Sequence, residues 1–126
     1  MKALRAPDYV SHILEAIERI ETYTSTLSEA EFLASRLVQD AVIRNFEIIG
    51  EAAGNLQRVS PEIAAAHPEI PWHLPRGMRN FLVHVYWSVD ASKVWNTVTT
   101  DLPHLKRQIR VLSRELSGGS PSDAPD

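Results

Sequence analysis

The sequence contains no cysteine, which excludes disulfides and thiolate zinc sites and fits a reducing compartment, with the cytoplasm as the default. No apolar run approaches the roughly 20 residues of a membrane-spanning helix, and Met1 to Pro7 lacks the apolar core of a signal peptide. The expectation is a cytoplasmic chain that is neither exported nor membrane-spanning. An excess of positive charge is also missing: 13 Lys and Arg against 16 Asp and Glu leave a formal net charge of −3. Overall electrostatics therefore disfavour gripping nucleic acid, and any RNA contact has to be local. There is no Gly-rich phosphate loop and no G-x-S-x-G elbow, which argues against an NTPase or an ordinary serine hydrolase. His12, His67, His73 and His104 are scattered without a partner at metal-site spacing, so no bound metal is expected.

What is present fits one helical domain. With 126 residues, 44% hydrophobic and 23% charged, the chain matches a single globular unit with a modest core. A chain this short buries its apolar surface incompletely, so pairing with a second copy is a natural way to cover the rest. Val10, Ile13, Leu14, Ile17 and Ile20 recur at helical spacing and predict a helix over 8–24. Ser28 and Glu31 have the spacing of a capping box and open a second helix. Val38, Val42, Phe46, Ile49, Ala53 and Leu56 carry it as one stripe to about Arg58, weakened at Gly50 and Gly54. Four prolines between Ser60 and Pro75 predict a short helical turn and an ordered loop around Trp72. A short helix over 75–86 follows. Asp90 or Ser92 caps a fourth, which Pro103 bends or divides before its end near Leu116. No strand pattern, repeat or long heptad seam is present, so the fold class is all-α. The domain is 1–116, with a disordered tail, 117–126, too rich in Gly, Ser, Pro and Asp to build a core.

Arg79, Asn80, His84 and Tyr86 interrupt a stretch that is otherwise as apolar as a core helix. On a helix Asn80 and His84 share a face, and Arg79, one position aside, is long enough to converge with them on one phosphate. Cleaving RNA without a metal requires a group that takes the 2′-OH proton or protonates the leaving oxygen, and His titrates where either is possible. An Arg stabilises charge developing on phosphate oxygens. A single His on an apolar helix also serves as a hydrogen-bonded structural residue, and the residues alone leave both readings open. Asp40, Arg44, Glu47 and Glu51 form a second stripe at steps of four, three and four. It reads either as a solvated ion-pair ladder or as a polar shelf in which Arg44 adds positive charge to a cleft. Lys106, Arg107, Arg110 and Arg114 form a basic group whose simplest reading is a solvated helix face. Trp72, Trp87 and Trp95 suit core or interface packing more than base stacking.

The run GMRNFLVHVYWSVD over 77–90 resembles the R-x4-H-x-Y signature of the HepT-like branch of the HEPN superfamily. QDAVIRNFEIIGEAAGNL over 39–56, HPEIPW over 67–72 and VWNTVTTDLPHL over 94–105 are similar to the family in order and spacing. The resemblance implies the HEPN fold, an up-and-down bundle of four to five helices, and a homodimer whose motifs form one RNA-cleaving cleft. It implies a toxin of a type VII-like toxin–antitoxin pair, a metal-independent ribonuclease with no cofactor that acts on tRNA or mRNA and is partnered by a minimal nucleotidyltransferase antitoxin. Arg79 and His84 match the catalytic pair. Asn80 matches the polar residue after the Arg, and Arg44, Glu47 and Asp40 would support the site. Tyr86 matches the tyrosine that the nucleotidyltransferase silences with AMP, and bulky negative charge beside the cleft would repel RNA. Val85 departs from the pattern, being apolar where many relatives carry a charge, which bears on accessibility or RNA preference more than on chemistry. The alternative is a non-catalytic dimer that binds RNA or nucleotide and docks the nucleotidyltransferase; a purely structural dimer is a third.

Overall fold

The structure is a computed structural model in which residues 3–72 and 90–118 are described. Every regular element among them is helical. The expected helix over 75–86 and the tail from 119 onward lie outside the described residues.

Helix α1, Ala6–Thr24, buries Val10, Ile13, Ile17 and Ile20 at 1% exposure or less. It begins two residues before the expected start. The backbone amide of Arg5 donates to the Asp8 carboxylate at 2.8 Å, which places Asp8 inside the first turn, where a negative charge also meets the positive helix end. Pro7 sits in that same turn, where no backbone donor is needed.

The second expected helix is two. Helix α2, Glu29–Leu33, opens with the Ser28 and Glu31 box: the Ser28 amide donates to Glu31 at 2.8 Å and the Glu31 amide to the Ser28 hydroxyl at 3.1 Å. It ends after five residues, and helix α3, Arg36–Val59, begins anew. Ser35 caps the new start by accepting from the Val38 amide at 3.2 Å. The Gln39 side chain donates to the Phe32 and Leu33 carbonyls, tying α3 back to the end of α2. An unbroken apolar stripe hides this junction, because the break falls between α2's Phe32 and α3's Val38 and both still face the interior.

Helix α3 runs past Gly50 and Gly54 without interruption and packs on α1. Asn45 is buried between them and accepts from Arg19 Nε at 2.8 Å, while its own amide donates to the Ala41 carbonyl at 2.9 Å. Helix α4, Pro61–Ala66, is the expected short turn, and Trp72 beyond it is buried.

After Asp90, helix α5, Ala91–Asn96, passes into a π-helical turn, Thr97–Asp101, and then into helix α6, Leu102–Leu116. Pro103 therefore does not divide the helix. A proline clashes with the carbonyl four residues back and leaves it without a donor. The wider turn before Pro103, with the Leu102 amide reaching Thr97, accommodates that defect without a break. Leu102, Leu105, Ile109 and Leu112 of α6 close the core on α1. Phe32 of α2 is fully buried against Trp95 of α5, with ring centroids 5.1 Å apart. Burial of a side chain that size contributes about 1.5–3 kcal/mol.

Candidate functional site

Arg79, Asn80, His84 and Tyr86 lie outside the described residues. The chain is described up to Trp72 on one side of them and from Asp90 on the other, and both ends are tied down.

On the leading side, α4 stops at His67 because Pro68 follows, and the residue before a proline is driven out of helical geometry. The His67 carbonyl accepts from the Ile70 amide at 3.1 Å and from Trp72 Nε1 at 3.1 Å, while Ile70 and Trp72 are both buried. The Gln108 side chain of α6 donates to the Glu69 carbonyl. The His67 ring lies between two carboxylates, with Nδ1 2.9 Å from Glu69 and Nε2 2.8 Å from Glu115 of α6. Both contacts are hydrogen bonds only when both nitrogens carry a proton. The hydrogen bond from the His67 ring, joined by one from the backbone, holds the Glu69 carboxyl below its ordinary range. The loop over 67–72 is thus fastened to α6 immediately before the chain enters the stretch that holds the R-x4-H pair. On the trailing side, Asp90 accepts from the amides of Ser92 and Lys93 at 3.1 and 3.3 Å and caps α5.

The second constellation lies on α3. Asp40 pairs with Arg36 at 3.5 Å, both side chains being mostly exposed, and not with Arg44. Arg44 and Glu51 are exposed and Glu47 is half-buried. Among the described residues none of these three has an ion-pair partner, so the stripe exists without forming a ladder.

The basic group on α6 divides. Lys106 is drawn to Glu21 of α1 at 2.7 Å, whereas Arg107, Arg110 and Arg114 stay exposed on the outer face. Among the described residues no three His, Asp or Glu side chains gather closely enough to hold a metal ion, and no helix is long and apolar enough to cross a membrane.

Two polar arrangements escape sequence reading. His67 and Glu69 are visible as neighbours, but Glu115 is 48 positions further on and no spacing rule links them. The bridge from Arg19 to Asn45 crosses two helices and has no local signal.

Residues 13–112 match the family described as "Ribonuclease HepT-like". Over 107 residues the chain is 42% identical to a Thermococcus cleftensis protein named "Probable ribonuclease HepT", covering 85% of this chain and 94% of that one. It is 44% identical over 108 residues to a Methanocaldococcus jannaschii protein named "Gamma-glutamylcyclotransferase and putative RNase", covering 86% of this chain and only 47% of that longer one. A "Putative RNase" of Caldanaerobacter subterraneus is 32% identical, with 85% and 94% covered. No solved structure matches.

Proposed function

Since the chain belongs to the HepT-like ribonuclease family, we propose that it is a metal-independent endoribonuclease and the toxin of a toxin–antitoxin pair, with Arg79 and His84 as its catalytic residues. The observation that carries this reading is that the R-x4-H-x-Y run falls inside the matched stretch, 13–112. The 2′ oxygen attacks phosphorus and the 5′ oxygen leaves. His84 takes the proton from the nucleophile or supplies one to the leaving oxygen. Arg79 stabilises the negative charge that builds on the phosphate oxygens in between. Asn80 orients the phosphate or His84, and Arg44 with Asp40 and Glu47 lends polar support from α3.

A bundle this small has little concavity of its own, so two copies forming one cleft is the arrangement that supplies a binding site. The nucleotidyltransferase partner transfers AMP from ATP to the Tyr86 hydroxyl, which loses its proton as pyrophosphate leaves, and the added charge blocks RNA entry. Attack by the 2′ oxygen leaves a 2′,3′-cyclic phosphate and a 5′-hydroxyl, and mapping the ends of the cleaved RNA tests it. A 3′-hydroxyl with a 5′-phosphate would instead require water as the nucleophile and would contradict the mechanism.

A further inference from the structure

The outer face of α6 carries Arg107, Arg110 and Arg114 in a stripe about 10 Å long at 1.5 Å per residue. Around the helix, Lys106 turns toward α1, Gln108 and Glu115 turn toward the loop over 67–72, and the three arginines occupy the arc between. Two carboxylates near the stripe are already engaged, Glu21 of α1 with Lys106 and α6's own Glu115 with His67. Among the described residues no carboxylate stands within ion-pair distance of the three arginines, in a chain whose acids outnumber its bases. His104 adds a ring nitrogen 3.4 Å from Arg107, and Val111, 47% exposed, lies beside the stripe.

A helix face that serves only solubility intersperses both signs, because like charges three and four residues apart repel. A cation near the helix C-terminus gains from the dipole, which accounts for Arg114 but not for Arg107 or Arg110. Guanidinium groups are the side chains suited to phosphate oxygens, which they bind bidentately. We infer that the α6 stripe is a phosphate-binding track for single-stranded RNA, separate from the R-x4-H motif in sequence, that binds the backbone without reading bases. The inference rests on the ribonuclease reading and gives a chain of net charge −3 a local positive surface for the phosphate backbone.

The test uses the full chain and a single-stranded 2′-O-methyl oligonucleotide, which has no free 2′-OH to attack, with affinity measured across a salt series. Replacing all three (Arg107→Gln, Arg110→Gln, Arg114→Gln) is expected to weaken binding by about tenfold or more and to reduce the slope of log affinity against log salt by about two, since each phosphate neutralised on a single strand contributes about 0.7. The triple Lys variant keeps most of the slope, and Arg58→Gln, on α3 and outside the stripe, leaves it unchanged. With cleavable RNA the Gln triple raises KM and leaves kcat as it was. Circular dichroism establishes that each variant is folded. Unchanged affinity and slope in the Gln triple, with a wild type that binds and cleaves RNA, would overturn the track and leave the ribonuclease reading standing. A wild type that neither binds nor cleaves RNA would overturn both. Loss of a protein partner with RNA binding intact would reassign the stripe to that partner.

Discussion

At the residue scale the most informative side chain is His67, whose two ring nitrogens each face a carboxylate. Its effect on Glu69 has a definite pH dependence. The Glu69 carboxyl titrates below its ordinary value in the folded chain, so the folded state favours the charged form. That contribution is complete above the ordinary value and disappears as pH falls through the depressed one. In thermal melts the wild type is expected to exceed Glu69→Gln near neutrality, and the gap should close in acid as the wild-type carboxyl protonates. A gap that persists below the titration of Glu69 would show that the contact with His67 is not what the carboxylate contributes. The R-x4-H pair stands out in the sequence because its polar groups interrupt an otherwise apolar run, and it lies outside the described residues. The His67 clamp does not stand out, because its partners come together only through the fold.

At the scale of elements the stripe of α1 and the capping box of Ser28 and Glu31 were readable, since both are local and each side chain reports on its own turn. The division between α2 and α3 was not readable from periodicity, because Phe32 and Val38 keep facing the interior across it. Its marker is the side chain of Ser35, which accepts from the Val38 amide. Replacing it (Ser35→Ala) should cost about 1 kcal/mol in urea denaturation, as loss of a hydroxyl cap does. No measurable cost would mean that the Gln39 bonds to α2 hold the junction by themselves. Pro103 offers the complementary lesson: the sequence shows that a proline must disturb the helix, but not that a π-helical turn absorbs the disturbance and lets α5 and α6 run on.

For the whole molecule, helical periodicity and family resemblance lead to the same all-α architecture; its core is built from residues the stripes marked, among them Ile17, Phe46, Ile49 and Leu56, and from Ile109 and Leu112 of α6, which no stripe had marked. The cation-bearing face of α6 gives the molecule a local positive surface within a net negative charge, and among the described residues Arg107, Arg110 and Arg114 have no ion-pair partner. The central claim is that this domain cuts RNA without a metal and does so through His84. The most direct measurement is cleavage of total RNA and of tRNA in excess EDTA by the wild type and by His84→Ala, with both variants verified as folded and in the same oligomeric state. The predicted result is cleavage by the wild type and intact RNA with His84→Ala. RNA left intact by a wild type whose Tyr86 is unmodified, or cut equally by both proteins, would contradict it.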